Sequence, residues 1–338
     1  MVHLRIVAPA KQSQHVLDLL DDNESVVNLV RLEHVALHPE GDLILADVAR
    51  DQASLVVADL RELNIDVDGS IAISEIDSQV SAAAERAMRA GRKRHPDPVV
   101  WEEVAARTSE GIELTHSFLL FMAFAMLLAS VGIVLEQPIL IVGAMVVGPD
   151  FGPIAGACVA IVDRRPALVA RSIRALAIGF PVGIAATAVA TLGLNALGEF
   201  PATLDLSASR LTRFLSEPSF FSAYVALIAG IVGMLSLTSA KSGALVGVLI
   251  SVATIPAGAS MGLAAAYGDW SDFGQAAAQL GLNIGAIFAG GLITLRIQRL
   301  LYTRQRHRHL AEGGRARAGL PIGSSARTGK ASSRPEGF

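Results

Sequence analysis

The sequence predicts an α-helical membrane protein of six transmembrane helices, preceded by a small α+β domain. Hydrophobic residues make up 52% of the 338 residues and charged residues only 17%, a balance more apolar than that of an ordinary soluble protein. The apolar residues are gathered into long runs without Asp, Glu, Lys or Arg. About 20 such residues suffice to cross the hydrocarbon core of a bilayer as a helix.

Six apolar runs follow one another in the second part of the chain and form the predicted membrane domain, residues 114–300. The predicted spans cover residues 114–135, 137–162, 175–198, 218–240, 242–268 and 273–295. Soluble cores rarely supply so many uninterrupted runs, so we expect a multi-pass protein of the cell membrane with the lipid bilayer as its surroundings.

Basic residues in short loops favour the cytoplasmic side and therefore indicate the orientation. They are found after the second span, after the fourth span and after the last span: Arg164, Arg165, Arg171, Arg174, Lys241, Arg296, Arg299, Arg304, Arg306 and Arg308. The connections after the first and fifth spans have no basic residue, while the longer one after the third span has Arg210 and Arg213. This asymmetry predicts that both termini are cytoplasmic.

Residues 1–78 are acidic, with 15 Asp and Glu against 5 Lys and Arg, and they are predicted to form a soluble domain. Apolar patterns predict strands over 3–8, 26–37, 43–49 and 65–73, and helices over 12–21 and 52–63. The order β-α-β-β-α-β is that of a ferredoxin-like sandwich. This fold leaves two roles open, a structural or oligomerising module and a sensor of a small ligand.

Two basic segments flank the membrane domain. In the linker, residues 79–113, a cluster from Arg86 to Arg94 precedes a segment with Trp101, which suits anionic lipid headgroups, although a solvated linker helix fits equally well. The tail, residues 301–338, is rich in Arg, Gly and Ser and is predicted to be disordered. Its few aromatic residues argue against nucleic-acid binding. We expect a homo-oligomer.

Several motifs of the membrane domain resemble one family. They are Val-Trp-Glu-Glu-Val at 100–104, Ser-Phe-Leu-Leu-Phe-Met at 117–122, Ile-Val-Gly-Ala-Met-Val-Val-Gly-Pro-Asp-Phe-Gly-Pro-Ile at 141–154, Ser-Leu-Thr-Ser-Ala-Lys-Ser-Gly-Ala-Leu-Val-Gly at 236–247, Ile-Pro-Ala at 255–257 and Leu-Asn-Ile at 282–284. Together they resemble the bacterial and archaeal hydrophobic-domain family called domain of unknown function 389, over roughly residues 100 to 300. The resemblance implies the architecture and no reaction.

Two predicted spans are interrupted by helix breakers. The second contains Gly148, Pro149, Gly152 and Pro153 around its one acid, and the fifth contains Pro256 between Ser251 and Ser260. Each is the second of three spans, which suggests a 3+3 repeat of inverted topology, the arrangement of many secondary transporters. The likeness between the halves is faint, and Gly- and Ala-rich helices resemble one another by composition alone, so both interpretations remain open.

Asp150 is the one acid deep within a predicted span, where a charge costs about 2.5–3.5 kcal/mol. It is predicted to face a cavity that holds a cation or a proton, with Thr254, Ser251, Ser260 and Asn283 as polar companions. The alternative is that Asp150 lies near one membrane face and caps a half-helix. The first interpretation predicts a transporter or channel for a small solute or ion that uses Gly148, Pro149, Asp150, Gly152, Pro153, Thr254, Pro256 and Asn283.

A second function remains open, a membrane-anchored sensor or scaffold whose front domain binds a ligand or partner. An enzyme is not predicted, because the hydrolase motifs His-Glu-x-x-His and Gly-x-Ser-x-Gly and paired intramembrane aspartates are missing from the sequence. The scattered histidines His3, His15, His34 and His38 and the single Cys158 do not have the spacing of metal ligands. No cofactor and no metal site are therefore expected.

Overall fold

The computed structural model describes residues 1–76, 81–92, 101, 104, 108, 111–201, 217–239, 254–310 and 314–322. The chain divides into two compact units, one formed by Met1–Glu103 with Leu300–Phe338 and the other by Val104–Arg299. Each unit has its own core and is described separately.

The first unit is built on a four-stranded antiparallel sheet. Its elements are β1 (Val2–Ala8), α1 (Ala10–Asp21), β2 (Val26–Leu37), β3 (Glu40–Val48), α2 (Arg50–Glu62), α3 (Ile65–Asp68), β4 (Ser70–Glu75) and α4 (Ala82–Arg92). The strands lie in the order β2-β3-β1-β4. Alternate residues of β1 point to one face, so Leu4 and Ile6 are fully buried in a core that also contains Val16 of α1 and Leu60 of α2.

The sequence predicts one strand across Ile65 to Ile73, but its first half is the helical turn α3. Asn64 takes a left-handed conformation with φ of 60°, which turns the chain into α3 before the strand begins. Val67, expected to be half-buried, is 71% exposed as a result. A Cβ on Gly69 would lie 2.1 Å from the carbonyl oxygen of Val7, so only glycine allows β4 to start this close to β1.

The buried side chain of Asp42 stabilises the hairpin of β2 and β3 through hydrogen bonds. The backbone N–H of His34 and the Nε of Arg31 each donate to this carboxylate at 2.9 Å. The hydrogen bond from His34 is the main reason that the pKa of Asp42 is lowered to about 2, with the charge and hydrogen bond of Arg31 acting in the same direction against the cost of burial. Asp42 is therefore ionised at neutral pH.

The second unit consists of apolar helices. They are α5 (His116–Val134), α6 (Pro138–Val147), α7 (Phe151–Val162), α8 (Pro166–Ala196), α9 (Phe220–Thr238), α10 (Thr254–Tyr267) and α11 (Trp270–His309), whose last residues, from Leu300, belong to the first unit. Among the described residues, α5, α8, α9 and α11 are each long and apolar enough to cross a membrane, and α6 with α7 forms a fifth candidate bent by 48°. By length and composition, these helices fit a membrane protein.

The six predicted spans thus correspond to four single helices, one bent pair and α10. The described part of the predicted fifth span is α10, which has 14 residues and is too short to qualify alone. The rest of that predicted span, residues 242–253, lies outside the described residues.

Small residues let the helices of the second unit approach closely. On α8, Gly179 lies against Phe118 and Met122, and Gly183 lies against Met126 of α5. The pair α9 and α11 meets at Gly230, where an added Cβ would lie 2.3 Å from the carbonyl oxygen of Ile287. Such contacts bring backbones together where large side chains would hold them apart, as is common between membrane helices.

Gly230→Ala is expected to destabilise the second unit by about 1–3 kcal/mol, because the new methyl group meets the backbone of α11 rather than a side chain that could move. Thermal unfolding of the full chain in detergent measures this loss. Gly285→Ala on α11 is the matched control, since a Cβ there meets nothing within 4 Å. Equal melting temperatures for the two variants would contradict the close α9–α11 contact.

The described part of the C-terminal segment is ordered against α2, whereas the sequence predicts disorder from residue 301 onward. Residues 301–309 continue α11, and Gly314–Arg317 form a short helix, α12. Ala318 and Leu320 then enter the core of the first unit. The composition of the C-terminal segment does not predict its ordered structure, because the acidic residues that stabilise it lie far away in the sequence.

The acidic partners are Asp59 and Glu62 of α2. His309 lies 2.7 Å from the fully buried Asp59, and Arg306 and Arg315 each form ion pairs with both acids. Burial by itself would raise the pKa of Asp59, but the hydrogen bond with His309 and the positive charges of Arg306 and Arg315 lower it below its ordinary value. The cluster therefore keeps Asp59 ionised.

Candidate functional site

The candidate site is the break between α6 and α7. Gly148 ends α6 in an extended conformation with ψ of 127°, and Asp150 stands at the N-cap of α7. Pro149 lacks the N–H that would continue α6, whereas Pro153 sits in the first turn of α7, where the N–H has no intrahelical partner to lose. The sequence Gly-Pro-Asp-Phe-Gly-Pro thus ends one helix and starts another within a few residues.

Asp150 does not use its carboxylate to cap α7. It occupies the N-cap position, but no backbone N–H of α7 bonds to its side chain. Its Oδ2 instead accepts a hydrogen bond from the hydroxyl of Thr254, at the start of the described part of α10. Asp150 is 3% exposed and Thr254 is fully buried. The carboxylate is therefore directed away from its own helix toward a neighbouring one.

Gly148 brings the same two segments into contact. A Cβ at this position would lie 2.5 Å from Cγ1 of Ile255, the residue that follows Thr254. Larger residues at position 148 would therefore push α10 away from Asp150. The interruptions of the second and fifth predicted spans thus meet, at Gly148–Ile255 and at Asp150–Thr254.

The other predicted site residues take different places. Gly152 packs on another segment, because a Cβ there would lie 2.9 Å from the carbonyl oxygen of Gly111. Pro153 and Pro256 are buried in the first turns of α7 and α10 and shape the backbone there, while Pro149 lies half-buried in the break itself. Of the predicted companions, Ser260 is buried on α10, while Ser251 and the basic residue Lys241 lie outside the described residues.

Asn283 belongs to a separate polar cluster between α9 and α11. The hydroxyl of Ser222 donates to Oδ1 of Asn283 at 3.0 Å, and Nε2 of Gln279 donates to the same hydroxyl. All three side chains are buried, and Oε1 of Gln279 has no hydrogen-bond partner in the described structure. Sequence reasoning missed Gln279, although two amide residues four positions apart in an apolar span place both on one helix face.

Among the described residues, Asp150 is bonded to the hydroxyl of Thr254 and forms no ion pair. Across the same described ranges, no three His, Cys, Asp or Glu side chains gather into a group that could hold a metal ion. Cys158 is buried and free, with its sulfur 3.9 Å from the carbonyl oxygen of Phe288. The chemistry of the break therefore comes from one carboxylate and one hydroxyl in an apolar setting.

Comparisons with known proteins give a family and one relative. Residues 145–289 match the family described as Domain of unknown function (DUF389), which confirms the resemblance predicted from the sequence. An uncharacterized protein of Methanocaldococcus jannaschii is 29% identical over 173 residues, which are 51% of this chain and 51% of that protein. The chain thus spans about half the length of this curated relative. No solved structure matches.

Proposed function

We propose that this chain, with its DUF389 domain, is a transporter or channel of the cell membrane, and that it moves a small solute or ion past Asp150 without changing it chemically. The observation that carries the proposal is the carboxylate itself. It is buried at a helix break inside an apolar unit, and its partner in the described structure is the neutral hydroxyl of Thr254.

A carboxylate in this position is costly. A charge at the centre of a bilayer costs about 2.5–3.5 kcal/mol on insertion scales, and such residues normally face a partner or a water-filled cavity. One hydroxyl donates one hydrogen bond and leaves the negative charge in place. A cation or a proton that visits Asp150 would compensate this charge, so we favour a cation as the transported species or as the coupling ion.

The broken helix supports transport as well. Discontinuous helices near the midplane form the substrate sites of many secondary transporters, since the freed backbone groups and the half-helix ends bind polar species. The contact of Gly148 with Ile255 joins the break of α6 and α7 to the start of α10. These positions are the second elements of two halves, which fits six spans in a 3+3 inverted repeat.

The proposal also covers the lipid interface, the orientation of the chain and the fold of the front domain. Exposed aromatic residues cluster at the starts of α9 and α11, with Phe220, Phe221 and Trp270 each at least 70% exposed, as in an aromatic belt at a lipid–water interface. Both termini are proposed to be cytoplasmic, with basic residues near anionic lipid, in a homo-oligomer that binds no nucleic acid. The strand order β2-β3-β1-β4 supports a ferredoxin-like front domain.

The proposal is tested by reconstituting the full chain into liposomes and measuring flux for a panel of inorganic cations, protons and small metabolites. For the transported species, Thr254→Val is expected to lower the flux about 10- to 100-fold, because a hydrogen bond to a charged group contributes roughly 1.5–3 kcal/mol. Thr254→Ser keeps the hydroxyl and is the matched control. Absence of flux for every species, with protein shown to be folded and inserted, would overturn the proposed function.

A further inference from the structure

Two buried hydroxyl groups of α8 differ from the other buried hydroxyls of the apolar helices. Four of the others bond to a carbonyl of their own helix: Ser130 to Leu127, Ser172 to Leu168, Thr238 to Met234 and Thr294 to Gly290. Such bonding satisfies a hydroxyl inside an apolar unit. The hydroxyls of Thr187 and Thr191 have no hydrogen-bond partner in the described structure, although both residues are at most 1% exposed.

An unpaired buried hydroxyl costs free energy, about 1–3 kcal/mol for a donor or acceptor without a partner. Thr187 and Thr191 are one helical turn apart and therefore lie on the same face of α8. A carbonyl of the preceding turn was available to each of them, as it was to Ser172 on the same helix. Two such costs on one face indicate that these hydroxyls serve something other than the packing of α8.

Thr187, on this face of α8, packs against α10. A Cβ on Gly262 would lie 2.6 Å from Cβ of Thr187, while Gly258, one turn earlier on α10, lies against Phe180. Residue numbers thus rise together along the two helices, which run parallel at this contact. Thr254, the partner of Asp150, is at the start of the described part of α10, about 12 Å before Gly262 at 1.5 Å per residue.

We propose that the interface of α8 and α10 is the wall of the path that leads away from Asp150, and that Thr187 and Thr191 provide the hydroxyls that a hydrated cation meets there. This inference rests on the proposed function and adds the route. In the described structure, where the interface is packed, the hydroxyls of Thr187 and Thr191 have no hydrogen-bond partners. When the interface opens to water, the passing ion and its hydration shell supply the missing hydrogen bonds.

The experiment uses cysteine accessibility, because the chain has a single native cysteine. In a Cys158→Ala background, Thr187→Cys and Thr191→Cys are introduced one at a time into the full chain in liposomes. A positively charged, membrane-impermeant methanethiosulfonate then labels thiols that water reaches. Ala196→Cys, exposed near the end of α8, is the positive control, and Ser172→Cys and Thr294→Cys are buried controls whose native hydroxyls are satisfied by their own helices.

Labelling at positions 187 and 191 is expected to be about tenfold or more faster than at positions 172 and 294, since a thiol reacts as its hydrated thiolate. The inference is overturned if Ala196→Cys is labelled while Thr187→Cys and Thr191→Cys react no faster than the buried controls. Thr187→Val and Thr191→Val, which keep the side-chain shape, are expected to lower cation flux, whereas Thr294→Val is not. Cysteine labelling tests whether the path runs along α8 and α10, and wild-type flux tests whether the protein transports a cation. Failure of the path can therefore be distinguished from failure of the proposed function.

Discussion

Asp59→Ala is expected to destabilise the first unit by about 3–5 kcal/mol, because removing one partner from a buried ion-pair cluster leaves the remaining buried charges incompletely compensated. Asp59 is fully buried, and Arg315, which pairs with it, is 1% exposed. Glu62 alone would then face two guanidinium groups. The free energy of unfolding of this unit is measured by denaturant titration of the full chain in detergent.

The two tryptophans of the chain make the readout specific. Trp101 is buried and lies in the first unit, with its ring centroid 6.4 Å from that of Tyr302. Trp270→Phe leaves Trp101 as the one tryptophan, so its fluorescence follows the unfolding of this unit. Asp21→Ala, which removes an exposed acid from α1, is the matched control and is expected to change stability by less than about 0.5 kcal/mol.

Two further observations test the same cluster. A chain ended after Leu310 loses Arg315, Ala318 and Leu320 and is expected to unfold at lower denaturant, whereas a chain ended after Ile322 keeps them and should match the full chain. The pKa of Asp59 is lowered in the fold, so its stabilisation is present above the unfolded pKa of about 3.9 and is lost as the pH falls below it. Unchanged stability in Asp59→Ala would show that the cluster does not stabilise the unit.

Much of the first unit was predictable from the sequence, because strands and helices with one buried face repeat apolar residues at characteristic intervals. The prediction that a strand begins at Ile65 was wrong, because the backbone forms a helical turn there. Alternating Ile65, Val67 and Gly69 imitate a half-buried strand, yet the left-handed Asn64 starts a helical turn there. The alternation of apolar residues does not register such a left-handed residue, because it reports side-chain polarity and not backbone conformation.

The order of the C-terminal segment was not predictable for a different reason. Residues 314–322 contain few large apolar side chains, so their composition resembles that of a disordered tail. Their stability comes from Asp59 and Glu62, more than 250 residues earlier, which pair with Arg315. Charge complementarity between distant segments becomes visible only when the fold brings them together.

The candidate site was predicted in part. Helix breakers and an acid within an apolar run are local signals, and they pointed to Gly148, Asp150 and Thr254, which the structure brings together. Asn283 was grouped with them because it is polar, but it pairs with Ser222 instead. Which helices are neighbours depends on packing among many similar apolar surfaces, so a sequence with Gly- and Ala-rich spans does not reveal it.

Asp150→Asn is expected to reduce cation flux in liposomes to the level of protein-free vesicles, the largest effect of any single change in the membrane domain. Asparagine has nearly the same shape, and its carbonyl oxygen can still accept the hydrogen bond from Thr254. The fold is therefore expected to persist, and the melting temperature in detergent checks this. What is lost is the negative charge, which in the proposed function attracts a cation or proton.

Asp163→Asn is the matched control for this change, because it removes a carboxylate from the other end of the same helix. Asp163 stands at the C-cap of α7 and pairs with Arg299 at 3.7 Å. Its neutralisation is expected to leave flux within about twofold of wild type, since partly exposed ion pairs contribute roughly 0–1 kcal/mol. If Asp150→Asn instead carried flux like Asp163→Asn, the carboxylate would be a structural feature of the helix break, and transport would have to use another route.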